Sequence, residues 1–297
     1  MMHIGLFLKY LKFEKRYSEN TISAYNNDLL QFNSFIESET AGISVENASR
    51  NIIRSWIVSL ASEKKDSPRS IQRKVTSLRS FYKYLLREGV IQKNPTVGIH
   101  PPKTEKKLPV FLTQSQTDFF IDEDCFGDDF SGARDRAIIE MLYNTGMRLS
   151  EAAQMKHIDI DLKSNQLKVL GKRNKERIIP FNKYLGEIII KYINRKNEMG
   201  IGISAEDRFF VTDKGKPVYV KFIYHKVRHY IGMVSTNKKK SPHVLRHTFA
   251  THMLNNGADL NAIKELLGHA NLAATQVYTH SSFEKLKEIY KQAHPRA

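Results

Sequence analysis

One cysteine, Cys125, stands among 297 residues. A single thiol excludes an internal disulfide framework and a thiolate zinc cluster. Long apolar runs are missing too. Stretches such as Ile188–Ile190 are far from membrane-spanning, and the patch from Ile4 to Leu8 is broken by Lys9 and Lys12, too short for a signal peptide. No glycine-rich phosphate loop is present, so nothing indicates nucleotide hydrolysis. Acidic residues are scarce: 31 Asp and Glu face 47 Lys and Arg, for a net charge of +16 and a pI near 9.7. That surplus points to a polyanionic partner, with nucleic acid as the default. The expectation is a cytoplasmic, nucleic-acid-facing protein, without membrane attachment, long enough for two domains with their own cores.

The first hundred residues read as helices only. Ile4, Phe7, Leu8 and Leu11 are helically spaced, and Ser18 is set to cap a second helix carrying Ile22, Tyr25, Leu29, Phe32 and Phe35. Ile52, Ile53, Trp56, Ile57 and Leu60 mark a third. Ser67-Pro68 opens a fourth, with Ile71, Val75, Leu78, Tyr82 and Leu85 inward and Gly89 as its stop. Arg69, Arg73, Lys74, Arg79 and Lys83 lie between those apolar positions. Such a face is ordinarily just solvated; in a chain this basic it reads as DNA-facing. Residues 93–109 hold four prolines among lysines without periodicity, which marks a basic linker with a boundary near Lys106. Residues 1–92 and 110–297 are the expected domains. Joined this way, they are expected to close around a duplex as a C-shaped clamp.

The second domain mixes helices with a few short strands, so the expected fold class is mainly α with a small β-sheet (α+β). Thr113 to Gln116 is a capping-box start. Asp135 to Tyr143 is a strongly apolar helix ended by Gly146; Arg148 follows in the turn, and Ser150 opens the next helix with Glu151 in its first turn. Gln166–Leu170 and Arg177–Phe181 predict two strands whose connecting tip presents Lys172, Arg173 and Lys175. Tyr184–Asn197 and Tyr219–Met233 read as helices, with a strand-like Arg208–Val211 between them, and Lys238, Lys239 and Lys240 form a basic loop. Ser241-Pro242 then starts a helix, with a capping hydroxyl and a proline at its first position, and Asn256-Gly257 stops it. His243 and Arg246 share one face of it, with Leu245, Phe249 and Met253 on the opposite side. Asp259 can cap a helix that runs to Leu267 and ends at Gly268; His269 lies in the loop beyond, and Asn271 can cap a short helix carrying Tyr278.

Two histidines, arginines and a tyrosine brought out at helix ends suit a phosphodiester. Breaking one without a metal needs cations on the non-bridging oxygens, an in-line nucleophile and an acid for the leaving oxygen. Arginine's planar fork binds phosphate in a bidentate way and stays charged, which makes Arg148 and Arg246 the pair to consider. A tyrosine is a poor nucleophile unless cations or a base favour its phenolate, and most of the thirteen here are packing or surface residues. Lys172, at a hairpin tip, is placed to reach a leaving 5′ oxygen; a lysine there is otherwise a backbone contact. His243 and His247 at i, i+4, and His247 and His252 at i, i+5, raise a metal site. No HExxH glutamate or cysteine accompanies them and His252 falls on the apolar side, so neither metal nor cofactor is expected.

Four segments in this order are far more specific than any one of them. TGMRLSE at 145–151, GKRNKER at 171–177, HVLRHTFATHML at 243–254 and LGHANLAATQVYTH at 267–280 together resemble the tyrosine recombinase (phage-integrase-like) family. The resemblance covers the whole chain and looks most like the Xer branch, which resolves chromosome dimers. It implies a helical core-binding domain followed by a catalytic domain. It also implies catalytic roles for Arg148, Lys172, His243, Arg246 and His269, with Tyr278 as nucleophile. Glu151 would orient a catalytic side chain. Arg173 stands where glycine is frequent in the hairpin turn, which should alter the tip rather than the chemistry. The DNA-contacting set expected is Arg69, Arg73, Lys74, Arg173, Lys175, Lys238, Lys239 and Lys240.

The implied reaction passes through a 3′-phosphotyrosyl intermediate and a Holliday junction, independent of ATP and metal. It needs a tetramer on two duplexes, made of this chain alone or with a related recombinase. Residues 282–292 carry an apolar stripe of Phe283, Leu286, Ile289 and Tyr290. Such a helix can pack on its own domain; the resemblance implies that it docks on a neighbouring protomer. A septal DNA translocase is the further partner implied. Alternatives are an integrase of a phage, transposon or conjugative element, a type IB topoisomerase, and a non-catalytic DNA-binding protein of the same fold.

Overall fold

The computed structural model describes residues 1–40, 42–104, 110–119, 125–171, 176–237, 239–268 and 280–296, the side chains of 280–282 excepted. The chain divides into two compact units, Met1–Lys107 and Leu108–Ala297.

The first unit is built from four helices, α1 (Met2–Phe13), α2 (Glu19–Glu39), α3 (Arg50–Ser62) and α4 (Pro68–Arg87). Three start on a serine whose hydroxyl takes a first-turn amide: Ser18 from Thr21, Ser49 from Ile52 and Ser67 from Ser70. Their apolar stripes meet in one core of Phe7, Leu29, Phe32, Ile53, Trp56, Val75, Leu78 and Phe81, all fully buried. Side chains of this kind stabilise by about 1.5–3 kcal/mol each when buried. Phe32 and Trp56 anchor the centre, with ring centroids 4.8 Å apart.

The basic face of α4 is less uniform than its sequence implies. Arg69 and Arg73 are exposed, and Arg73 pairs with the buried Asp28, which also accepts the Ser77 hydroxyl at 2.7 Å. Lys74 is only 7% exposed, and its ammonium sits 2.5 Å from Asp66 and against Gln31. Its charge is satisfied inside the unit, so it does not belong to an outward DNA-contacting set. The expected linker also begins later than residue 93. Ile99 is buried in the first core, the Arg79 guanidinium donates to its carbonyl at 2.5 Å, and Asn94 accepts from the Thr96 amide at 2.9 Å. Proline-rich composition marks a linker there, but one isoleucine ties the segment down.

The second unit holds eight helices among its described residues. They are α5 (Gln114–Asp118), α6 (Phe130–Thr145), α7 (Leu149–Gln154), α8 (Lys183–Glu198), α9 (Val220–Val234), α10 (Pro242–Asn255), α11 (Leu260–Leu267) and α12 (His280–Ala293). Between α7 and α8 lies an antiparallel sheet of β1 (Ile160–Asp161), β2 (Gln166–Leu170) and β3 (Glu176–Pro180), in that order. Leu167 pairs with Ile179 and Val169 with Arg177. The fold is therefore mainly α with a small sheet. Helix α6 is its axis, buried at every residue but Ser131 and packed between α8 and α10. Thr113 and Gln116 form the capping box that starts α5.

Three expectations need correction. Arg208–Val211 is not a strand: Arg208 and Val211 make isolated bridges to Lys156 and Pro217, two different partners. The β1 strand was not foreseen, because two residues carry no alternation. Ser241 occupies the N-cap of α10, but its hydroxyl accepts no bond from the helix, and Pro242 alone sets the start. No described helix is long and apolar enough to cross a membrane.

Helix α12 packs on α10, α11 and β3 of its own unit, burying Leu286, Tyr290 and Ala293. Leu286 and Tyr290 of its apolar stripe are thus covered in cis, while Phe283 and Ile289 are half-buried. The tail beyond it is pinned. Asn256 donates to the Ala293 carbonyl at 2.9 Å, the His294 ring stacks on Tyr290 at 4.8 Å, and Arg296 reaches Glu140 and the Thr117 carbonyl. Glu140 is fully buried; desolvation pushes its carboxyl up, against the pull of Arg296. Arg296→Ala would strand that charge, so a loss of about 3–5 kcal/mol is expected in denaturant unfolding of the second unit.

Acid should also weaken this unit. The His157 ring accepts from the Lys196 ammonium at 2.8 Å. Burial first, and the Lys196 charge second, lower its pKa from 6.5 to about 4. The unfolded chain therefore binds more protons, and stability falls as pH drops from about 6.5 toward 4. Unfolding midpoints measured across that window should decline in wild type and decline less in His157→Gln.

Candidate active site

Gly146 ends α6 with φ +58°, a conformation that glycine adopts without strain. A Cβ added there would lie 2.5 Å from the Phe249 ring and 2.7 Å from Leu267, so the space also demands glycine. This tight stop turns the chain at once into α7, with Arg148 at its N-cap. Glu151, at the third helical position, reaches back to accept the Arg148 amide at 2.7 Å. Helix α7 thus starts at Leu149, one residue earlier than Ser150.

The Glu151 carboxylate is the hub. One oxygen accepts from Arg148 Nη1 at 2.8 Å and Arg177 Nη1 at 3.0 Å; the other accepts from the Arg148 amide and from Arg177 Nη2 at 2.8 Å. Burial alone would raise its pKa, but the bonds and charge of Arg177, then those of Arg148, outweigh it and hold the carboxyl at about 2. Glu151 therefore holds the Arg148 side chain and backbone together.

Three guanidinium groups then meet the end of α11. Arg177 Nε donates to the Leu266 carbonyl at 2.9 Å, Arg246 to Leu267 at 2.7 Å, and Arg148 to Gly268 at 2.9 Å. Those are consecutive carbonyls at a helix C-terminus, where partial negative charge collects. Arg246 also donates to the Gly146 carbonyl at 2.5 Å, joining the ends of α6 and α11. Against three cations stands one carboxylate, so this cluster carries two net positive charges. Desolvation, then repulsion from Arg148 and Arg177, lowers the Arg246 pKa to about 10, which leaves it charged at neutral pH. A site with this surplus is prepared for an anion with oxygens to offer.

His243 lies on the same helix as Arg246 and is exposed, while Leu245, Phe249 and Met253 are fully buried on the other side. The remaining histidines of α10 are engaged elsewhere. His247 meets the Phe111 ring edge-on at 6.3 Å, and His252 is bonded to the Tyr143 hydroxyl at 3.0 Å and the Leu112 carbonyl at 2.9 Å. Asp259 caps α11, and Gly268 ends it with φ +63°. Lys239 is exposed and Lys240 half-buried, before α10. Lys172, His269 and Tyr278, with Arg173, Lys175 and Lys238, lie outside the described residues. Arg177 is the residue that sequence reasoning passed over: it closes the segment GKRNKER, yet was given no role. Its signal was a charge at an inward-facing strand position, on the same face as the buried Ile179.

Known proteins place the geometry in context. Residues 110–285 match the Phage integrase family, and residues 4–89 match the Phage integrase, N-terminal SAM-like domain. Tyrosine recombinase XerC of Bacillus subtilis is 40% identical over 297 residues, spanning 99% of this chain and 96% of the relative. XerC of Chlorobaculum tepidum is 37% identical over 318 residues, spanning 99% and 94%. Among solved structures, the XerH site-specific recombinase bound to its difH substrate aligns with a TM-score of 0.69 at 23% identity, over 96% of this chain and 83% of that one. The Tn1549 transposon integrase in complex with a circular-intermediate DNA gives 0.69 at 20%, over 96% and 98%. These last two speak for the fold. On the family matches and the full-length relatives, the chain belongs to the phage integrase family and is a site-specific tyrosine recombinase of the Xer branch.

Proposed function

We propose that this recombinase resolves chromosome dimers, by exchange at a duplex site that it cuts and rejoins with Tyr278. The observation that carries the chemistry is the pair Arg148 and Arg246, held on the Gly268 and Leu267 carbonyls inside a cluster with surplus positive charge. Guanidinium forks fixed in advance stabilise charge that builds on the non-bridging oxygens without reorganising. In the proposed reaction the Tyr278 oxygen attacks the scissile phosphorus, with His243 assisting removal of its proton. The bond to the 5′ oxygen breaks, Lys172 protonates that oxygen, and His269 adds a donor to the phosphoryl group. A 3′-phosphotyrosyl link and a free 5′-hydroxyl result. The 5′-hydroxyl of the partner duplex then attacks the link, returning the proton along the same path. Bond energy is conserved, so neither ATP nor a metal enters the balance.

The same reading gives the first unit its part. Its exposed Arg69 and Arg73, with Arg173, Lys175, Lys238, Lys239 and Lys240 of the second, are proposed to contact the DNA backbone. Two rounds of exchange through a Holliday junction call for four active sites on two duplexes. We propose a tetramer, formed by this chain alone or with a related recombinase, acting in the cytoplasm and activated by a septal DNA translocase. Residues 282–292 are proposed to change from their own unit to a neighbouring protomer on assembly.

A nicked suicide substrate carrying a candidate chromosomal site tests the nucleophile. Wild type should leave a denaturant-resistant protein–DNA adduct and Tyr278→Phe none; an adduct that survives the substitution would refute the assignment. Arg148→Ala and Arg246→Ala should each slow adduct formation by about 100–1,000-fold, the loss typical of one charge-stabilising donor. Half-site binding in a gel-shift titration should change far less.

A further inference from the structure

We propose that Arg177 is a positioning residue of the recombination reaction, holding Glu151 and the end of α11 so that the Arg148 guanidinium is fixed where the scissile phosphate binds. The inference rests on the reading of Arg148 as a phosphate-binding group.

Arg177 is 4% exposed, so it is not itself a contact for DNA. Its fork faces the Glu151 carboxylate squarely: Nη1 lies 3.0 Å from one oxygen and Nη2 2.8 Å from the other. Its Nε is turned the opposite way, to the Leu266 carbonyl at 2.9 Å. One side chain therefore joins β3, α7 and α11. Each partner it holds bears on Arg148. Glu151 takes both the Arg148 amide and its Nη1, and the carbonyl that takes Arg148 Nη2 belongs to Gly268, two residues after Leu266.

The fit at Gly268 is close. A Cβ there would come within 3.1 Å of Arg177 Cδ and 3.2 Å of its Nε and Nη1, so the arginine packs directly beneath the turn. The next residue in the chain is His269, and Tyr278 follows nine residues later. Arg177 thus sets the base from which that segment departs.

A lysine cannot do this work. Its single ammonium offers one point of charge where the site uses two parallel donors and a third pointing away. Without the fork, Glu151 keeps Arg148 as its cation but loses its planar partner, and its carboxyl should rise from about 2 toward or above its ordinary 4.5. A carboxyl that protonates no longer holds the Arg148 guanidinium.

The test uses full-length protein and the suicide substrate, with Arg177→Lys, Arg177→Gln, Glu151→Gln and the double variant Glu151→Gln with Arg177→Lys. Adduct formation is followed from pH 5 to 8, beside half-site affinity and thermal unfolding. Arg177→Lys should bind a half-site within about threefold of wild type yet form adduct about 100-fold more slowly, the scale of loss from a misplaced reacting group. Its rate should fall more steeply toward pH 5 than that of wild type. In the Glu151→Gln background the lysine should add little further loss and no acid limb. If the lysine variant is too unstable to assay, Arg177→Gln, which retains a planar amide without charge, carries the same comparison. Adduct formation at the wild-type rate by a folded Arg177 variant would overturn the proposal. So would losses at Glu151 and Arg177 that multiply, since the two would then act independently. Absence of an adduct from wild type itself would instead sink the phosphotyrosyl reading on which both depend.

Discussion

Everything in the candidate active site depends on how the last turn of α11 is terminated. A helix C-terminus leaves carbonyls without amide partners, and burying them costs free energy unless donors arrive. Here three arginines supply those donors, one each for Leu266, Leu267 and Gly268. The arginines come from β3, α10 and the junction of α6 with α7, segments far apart in sequence. Satisfying one helix end therefore brings together the cations proposed to hold the phosphate. The same contacts that complete the fold aim the charges.

That arrangement is electrostatically costly. Bringing Arg148, Arg177 and Arg246 together in a partly buried place sets like charges against one another, and this repulsion adds to desolvation in lowering the Arg246 pKa. Glu151 offsets part of it, and the partial charges of the helix end offset more. The remainder is left for a bound anion to neutralise. A site held this way resists collapse onto itself, because each guanidinium is already tied on one side by a carbonyl or carboxylate. What remains open on the Arg148 and Arg246 forks is directed by that tie, which is the physical content of preorganisation.

Much of this was legible in the sequence, and the reasons differ by element. The helices of the first unit follow from stripes of three and four and from serines before them, which the caps at Ser18, Ser49 and Ser67 match. Gly146, Arg148, His243 and Arg246 could be named because motif spacing fixes them relative to helix ends. What spacing does not carry is the third dimension. The sequence of α4 shows Lys74 among other cations, but only the approach of α2 and Asp66 reveals that it is buried. Ile99 reads as a stray apolar residue in a linker until the core it enters is known. Arg177 is the instructive miss. Its place on the inward face of β3 was readable by alternation, yet its partners Glu151 and Leu266 lie 26 and 89 residues away. No local pattern pairs them.

Gly146 carries a consequence in genetic terms. Its backbone conformation and the Phe249 ring both exclude any side chain, while its carbonyl holds Arg246. Every missense change at that codon therefore disturbs the α6 stop, the packing of α10 beneath it and the seat of the Arg246 guanidinium together. No substitution is conservative there. The position will behave as a loss-of-function site in a mutational screen, although it contributes no side chain to the chemistry at all.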